Sequence, residues 1–593
     1  MTTQTTPTSA DATTPVHDPR ARFRNRVELA LLGLVVLALA LLSWRRRWTS
    51  DDAFINFRVV ENLLAGNGPV YNAGERVEVA TSSLWLAVLT VAEALVPGNA
   101  VAWISVVLGI VATLVGVVLA SLGSRRLYGG VARWLAVPCG AVVVAALPPF
   151  WDFASSGLET GLSFCWLGAS FAALVHVARR EPVDQRRTLV VAVLLGLGPL
   201  VRPDLALISA LLILWLLSVP GSWPARAARV AAAGALPVAV EVFRAGYYGL
   251  LVPNTAVAKE SSRAVWGRGA DYLADLVGPH LLWLPLALVL AVLALLAPRA
   301  GWRPREWSLV AVVLVAALLH AAYVVRVGGD FMHGRLLLPS LFLVLCPVMV
   351  VPVPALRLRG IAVSAVLTVL AVWAAASVVV LRAEYPEGMS SAGITDERRY
   401  WAELAGRENP VTLEDHGVQS VIPYSDQVAA LHEQGADLVV AQPPVVTPDS
   451  GVARIAPSAG GVVFGVGNAG FYGVAPGLEV RVVDGLGLTD PIGSHMEAPP
   501  PGRAGHEKSF PAEWFMARYG APELAEEATT GLPAPADVAA ARATLDCGPV
   551  RELLEATNAP LTWGRFWDNL TGAPSRTSLR IPADPAEAQA QFC

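Results

Sequence analysis

Apolar runs of about 17–22 residues recur along this chain, and nothing else in the sequence narrows the choice of architecture as much. A helix rises 1.5 Å per residue, so about 20 apolar residues cross a hydrocarbon core of about 30 Å. The runs fall at 27–44, 101–121, 134–150, 161–178, 188–201, 204–219, 228–244, 280–298, 308–325, 336–352 and 360–381. They predict a polytopic α-helical membrane protein with about eleven transmembrane helices. Composition agrees: only 16% of the 593 residues are charged, against roughly a quarter in soluble domains. A net charge of −4 offers no basic surface for nucleic acid.

Arginine placement orients the crossings. With a cytoplasmic N-terminus, the inner loops hold Arg20, Arg22, Arg24 and Arg26, then Arg125, Arg126 and Arg133, then Arg179, Arg180, Arg186 and Arg187. The later inner loops carry Arg226 and Arg229, then Arg299, Arg303 and Arg305, and last Arg357 and Arg359. This matches the positive-inside rule, with Arg45–Arg47 as the main exception. The segment "SSLWLAVLTVAEALVP" (82–97) is short for a crossing, and counting it would invert every later loop; it reads as an interfacial or re-entrant helix on the outer face. Residues 1–26 are then a disordered cytoplasmic tail and 27–381 the membrane domain. The first apolar run lacks a small-residue cleavage site and reads as an uncleaved anchor.

From residue 382 the apolar runs shorten and Pro and Gly rise. "GVVFGVGNAGFYGV" and "LEVRVVDGLGLTDP" read as short strands with tight turns, so 382–593 is expected to be an extracytoplasmic, periplasmic α/β soluble domain. It holds Cys547 and Cys593, and an oxidising compartment predicts a disulfide between them. The alternative is two free thiols.

Charges at membrane depth cost several kcal/mol unless paired or solvated, and so mark functional candidates. Asp51 and Asp52; Asp152 and Glu159; Arg202 and Asp204; Arg244 and Lys259; and Arg326, Asp330, His333 and Arg335 all map to the outer side. Asp484, Asp490, His506, Glu507 and Lys508 join them from the soluble domain. The bland readings are an N-cap for Asp51–Asp52, a helical corner with a local ion pair for "VRPD", a structural Gly-rich turn for "GGDFMHGR" and a solvated turn for "GHEK". A transporter would instead show midplane acids and inverted repeats; Glu241, near one end of its run, is the one such acid. Acids beside bases suit a carboxylate that handles a hydroxyl while cations hold an anionic leaving group.

The acidic pair after the first crossing, followed by an amphipathic segment and "SSLWL", resembles the GT-C superfamily of polyprenyl-phosphate-dependent glycosyltransferases. "WTSDDAFINFRVVENLLAGNGPVYNAGERVEVATSSLWL", "YYGLLVPNTAVAK", "GGDFMHGRLLLP" and "DGLGLTDP" with "GHEK" are similar to its terminal β-(1→2)-arabinofuranosyltransferase family, AftB type. The resemblance implies decaprenyl-phosphoryl-arabinofuranose as donor and the non-reducing ends of arabinan, in arabinogalactan and lipoarabinomannan, as acceptor. It puts Asp51 and Asp52 in the catalytic place, with Asp52 slightly favoured because its neighbour can cap the helix. Lys259, His333 and Arg335 are assigned to the donor phosphate, with Arg202 or Arg326 in reserve, and Glu159, Asp204, Asp330, His506, Glu507 and Lys508 are further substrate-binding candidates. A β donor giving a β product implies net retention, through a covalent glycosyl-enzyme or front-face attack. The sugar phosphoester is already activated, so no nucleotide is needed; a divalent cation on the acids is an open alternative. So are a transporter or flippase of a lipid-linked sugar, a non-enzymatic membrane scaffold, and a GT-C enzyme using another polyprenyl-phosphate sugar such as mannose.

Overall fold

Backbone amides and carbonyls find no water inside a bilayer, so apolar runs satisfy them internally as helices. The computed structural model describes residues 19–593 apart from 97, 99, 130–133, 355–357, 387, 418–424, 442–452, 456, 459 and 522–532. The elements used below are α1 (Pro19–Arg45), α2 (Asp51–Leu64), α3 (Val101–Leu127), β1 (Leu135–Val137), α4 (Thr160–Arg179), α5 (Trp223–Tyr248) and α6 (Asn254–Ala258). They continue with α7 (Pro304–Arg326), β2 (Val351–Val353), α8 (Leu358–Val379), α9 (Glu397–Ala405), β3 (Leu438–Ala441), β4 (Ala453–Ile455), β5 (Val462–Val466), β6 (Arg481–Asp484), α10 (Gly548–Asn558) and α11 (Trp563–Ser578).

Among the described residues six helices are long and apolar enough to cross a membrane: Arg22–Arg45 of α1, α3, α4, α5, α7 and Gly360–Val379 of α8. The remaining apolar runs are shorter or broken, and proline is the reason. Run 134–150 divides into β1, a helix over Cys139–Ala146 and another over Pro148–Ala154. Proline cannot donate to the preceding turn, so one helix stops and the next starts with Pro148 at its head. β1 pairs antiparallel with β2 from the run at 336–352. Run 188–201 likewise gives way after Gly196 to a single turn at Gly198–Val201. The stretches Pro203–Ser218, Trp283–Arg299 and Arg335–Val348 are short apolar helices, as is Ser83–Leu95 in the segment at 82–97. Helix α1 starts at Pro19, ahead of the boundary expected at residue 26, while residues 1–18 of the expected tail lie outside the described residues.

The tightest helix pair is α3 with α4. Gly109, Gly116 and Gly123 recur every seven residues on α3: Gly109 meets Gly161 of α4, Gly116 meets Gly168, and Gly123 lies against Phe171 and Ala172; a Cβ on Gly116 would overlap the Phe164 carbonyl. Small residues let two backbones approach where lipid supplies no hydrophobic drive.

The C-terminal sheet runs β4-β3-β5-β6, with β3 antiparallel to β4 and β3, β5 and β6 mutually parallel. The expected strand through "FYGV" is instead a short helix, Phe471–Val474. Behind the sheet, Trp514, Phe515, Val550, Leu553 and Ile581 form a helical core, and Cys547 is bonded to Cys593 with Cα atoms 5.3 Å apart.

Helix α2 is buried on two faces. Phe54, Phe57 and Val60 join the core of the membrane helices, while Ile55 and Val59 pack with Phe464, Val480 and Val482 of the sheet region. Arg58, fully buried between them, donates to the carbonyls of Tyr71 (2.8 Å), Gly473, Gly477 (2.8 Å) and Val480 (2.7 Å). An unpaired buried guanidinium would be costly; four carbonyls satisfy this one and fasten α2 to the C-terminal region.

Candidate active site

Ser50 caps α2, its hydroxyl accepting from the Ala53 amide (3.2 Å). The capping role weighed for the acidic pair therefore falls to Ser50, and Asp51 and Asp52 occupy the first turn, where the helix dipole favours negative charge. Adjacent helical residues point about 100° apart, and the two acids part company accordingly. Asp51 is buried, and its Oδ1 accepts from the Phe471 amide (2.9 Å). Gly470 lies so close to this carboxylate that a Cβ there would overlap it. Burial pushes the Asp51 carboxyl up to about 7, opposed by the Phe471 amide and reinforced by the Asp52 charge. Asp52 is half-buried and faces open space.

That space is two cavities that meet. One, of about 280 Å³, reaches toward the membrane helices past Tyr323, Val324 and Val327 at the end of α7. The other, of about 330 Å³, reaches toward the C-terminal region past Tyr400, Trp401, Asn468, Arg503 and His506. Asp52, Ile55, Lys259, Leu488 and Gly505 line both. A cavity of mixed charged and apolar walls and a polar, aromatic one thus share one carboxylate and one ammonium.

Seven expected residues, Asp52, Glu159, Arg202, Asp204, Lys259, Asp330 and Arg335, supply the membrane-side cavity with charge. Arg335 lies 3.9 Å from Asp52 and 2.7 Å from Asp330. Arg202 grips Asp204 through two bonds (3.0 and 3.1 Å) and approaches Glu159 at 3.7 Å. The "VRPD" corner is thus a local ion pair and a cavity wall at once. The Arg202 Nη1 is buried without a hydrogen-bond partner among the described residues. Lys259, at the end of α6, has no side-chain hydrogen bond or ion pair among the described residues; its methylenes run over Gly505. Lys259 at the junction and Arg202 on the membrane-side wall are therefore left with donors to spare, which suits an anion such as a phosphate.

Other expected residues lie elsewhere. His333 bonds Asp275 (2.6 Å), Tyr385 (2.9 Å) and His280 (3.1 Å), and lines neither cavity. Lys508 is buried and committed to Glu260 (2.7 Å) and the carbonyls of Val257 and Ser494, stitching α6 to the helix at Pro491–His495. Glu507 pairs with Arg268. Of the "GHEK" stretch Gly505 and His506 reach the cavities; His506 packs edge-on against Phe331, and burial lowers its pKa. Asp152 pairs with Arg46 at 2.6 Å, which neutralises one arginine of the cluster that breaks the inside rule. Arg244 is shared by Glu78 (2.6 Å) and Glu241 (2.6 Å). Asp484 and Asp490 hold turns: the first accepts from the Leu486, Leu488 and Thr489 amides, the second caps Pro491–His495. Arg326 lines neither cavity.

Glu397 is the residue that sequence reasoning missed. It is 5% exposed on α9, and its Oε1 accepts from the Trp401 indole (3.1 Å) while Oε2 has no hydrogen-bond partner among the described residues. It lines the C-terminal cavity, and burial together with the Asp52 charge holds it well above the usual carboxylate range. In "DERRYWAEL" nothing distinguishes it from a solvated helix, and only the i, i+4 spacing to Trp401 hints at a contact. Among the described residues no three His, Cys, Asp or Glu side chains converge as a metal-binding set.

Residues 457–591 match the AftB family C-terminal domain. The whole chain is similar to a terminal beta-(1->2)-arabinofuranosyltransferase of Mycobacterium tuberculosis, 36% identical over 617 aligned positions that cover 93% of this chain and 96% of that protein. A terminal beta-(1->2)-arabinofuranosyltransferase of Corynebacterium glutamicum is 34% identical over 599 positions, covering 93% of this chain and 85% of the other. No solved structure matches the chain.

Proposed function

Because the chain belongs to the terminal β-(1→2)-arabinofuranosyltransferase family, we propose that it transfers arabinofuranose from a polyprenyl-phosphoryl donor, decaprenyl-phosphoryl-arabinofuranose, to the ends of arabinan during cell-wall synthesis. The meeting of the two cavities at Asp52 and Lys259 carries this reading. A lipid-linked donor suits the cavity open toward α7, and an oligosaccharide suits the one walled by Tyr400, Trp401 and Asn468. Lys259 and Arg202 hold the donor phosphate, and Arg335 orients Asp52 while sharing its charge with Asp330.

Retention follows from two inversions. The Asp52 carboxylate attacks the anomeric carbon, the sugar–phosphate bond breaks, and the polyprenyl phosphate departs with the electron pair toward Lys259 and Arg202. The acceptor hydroxyl then displaces Asp52 from the opposite face, and its proton passes to the departing phosphate. Front-face attack, in which no glycosyl-enzyme forms, is separated by intact mass after incubation with donor alone. The membrane domain is proposed to make eleven crossings with the N-terminus inside, leaving the region after residue 382 outside, because that places the Arg-rich loops in the cytoplasm. The test is transfer from synthetic polyprenyl-phosphoryl-arabinofuranose to a short arabinan, with the linkage read by NMR. A β-(1→2) product is expected; no transfer would overturn the activity, and an α-linked product the double displacement. A cytoplasm-only reporter fused after Cys593 should stay silent, and a strong signal would reverse the topology.

A further inference from the structure

Helix α5 is a candidate membrane span with an open outer face, where Leu236, Val238, Val242 and Phe243 are all exposed. Helix α11 of the C-terminal region packs on its last turns. The Phe566 ring covers Gly246, the Asn569 amide donates to the Gly246 carbonyl (3.1 Å), and Arg576 donates to the Gly249 carbonyl (3.0 Å). Passing from Arg576 back to Phe566 therefore follows α5 from its end toward its middle. The two helices run parallel, and the start of α11 points back along the apolar stretch at Val242–Phe243.

What stands at that start is unusual for a water-facing surface. Trp563 is 80% exposed, Trp567 57% and Leu561 42%, and both indoles flank the Phe566 ring at centroid distances of 6.1 Å. The one charge in this turn, Arg565, is turned back onto Glu552 and Glu555 of α10. Tryptophan concentrates where an apolar body and a polar N–H meet the headgroup boundary, and an apolar patch continuous with a membrane helix shares its solvent. We infer that Leu561, Trp563 and Trp567 lie in the interfacial layer of the bilayer that α5 crosses, so that the C-terminal region carries its own membrane anchor. The anchor fixes the height of this region above the lipid and goes beyond the transfer reaction itself.

Spin labels decide the matter with the full chain in nanodiscs of phosphatidylethanolamine and phosphatidylglycerol. Leu561→Cys and Gly564→Cys leave both indoles in place, and a Cβ at 564 meets only the Thr562 hydroxyl at 3.7 Å. Cys165→Ala removes the partly exposed native thiol, while Cys139 and Cys346 are buried. Leu236→Cys gives the lipid reference and Glu587→Cys the aqueous one. Labels at 561 and 564 should fall between the mid-span reference at 236 and the aqueous one, with the ratio of oxygen to nickel-chelate collision several-fold above that at 587. Replacing both indoles (Trp563→Ser with Trp567→Ser) should shift the 564 label toward water. A ratio equal to that at 587 overturns the inference, as does an oxygen preference unmoved by loss of the indoles. Nickel access that disappears only on adding a soluble arabinan fragment would overturn it too, assigning the indoles to a glycan.

Discussion

Neutralising the two acids of α2 one at a time should separate a structural carboxyl from a reactive one. Asp51 is raised from an ordinary 3.8 to about 7, chiefly by burial. At about 1.4 kcal/mol per pH unit, that shift of roughly three units corresponds to about 4 kcal/mol. The sign follows from proton binding: the folded chain holds this proton more tightly than the unfolded chain. Its contribution to stability is therefore greatest below the unfolded pKa and is lost as pH rises toward the folded one. In Asp51→Asn the amide oxygen still accepts from the Phe471 N–H, and nothing ionises. The stability advantage of this variant over the parent should widen by about 4 kcal/mol between roughly pH 4 and pH 8, while transfer continues. Asp52→Asn should lower kcat by about 10²–10⁴-fold, as loss of a reacting carboxylate does. Thermal unfolding in detergent across that pH range, paired with the transfer assay, reads both. A gap that stays constant with pH would refute the burial argument. Loss of transfer in Asp51→Asn as deep as in Asp52→Asn would put both acids in the chemistry, and normal rates in Asp52→Asn would remove the assigned nucleophile.

Lys259→Ala should lower kcat/KM for the donor by about 10–100-fold, the loss of a charge-assisted hydrogen bond of about 1.5–3 kcal/mol; an unchanged donor KM and kcat would clear the ammonium of phosphate binding. Glu397→Gln, which stays neutral and keeps a carbonyl for Trp401, should transfer at close to the parent rate, whereas Glu397→Ala should raise the acceptor KM with little change for the donor. Equal loss in both variants would contradict the neutral-acid reading. Cys593→Ser should destabilise the C-terminal region by about 4 kcal/mol on the chain-entropy account of the 46-residue separation, read as a fall in its thermal midpoint; an unchanged midpoint would mean the bridge constrains little.

The sequence disclosed what depends on local pattern. Apolar runs marked the six long helices, and the acidic pair stood out because a carboxylate beside a membrane helix is costly. Arg202, Asp330 and Arg335 were visible for the same reason. Partnership was not visible. Lys508 and His333 looked as reactive as Lys259, yet Lys508 is consumed by Glu260 and two carbonyls and His333 by Asp275, Tyr385 and His280. Glu397 looked inert because its burial comes from segments far away in the chain, and Asp51 lost its expected role to Ser50, one residue earlier. Residue type gives the chemistry available, while long-range packing decides which groups are left free to use it.

The carbonyl cradle around Arg58 bears on how the molecule is made. Helix α2 emerges early in synthesis, and the carbonyls of Gly473, Gly477 and Val480 that receive its guanidinium come hundreds of residues later. Until they arrive, Ile55 and Val59 lack the sheet they pack against, and Asp51 lacks the Phe471 amide. A half-made chain in the membrane thus holds its reactive acid on an unfinished support. Truncation after the last crossing should leave an inserted but inert protein. Chain order makes completion of the polypeptide the switch that turns the enzyme on.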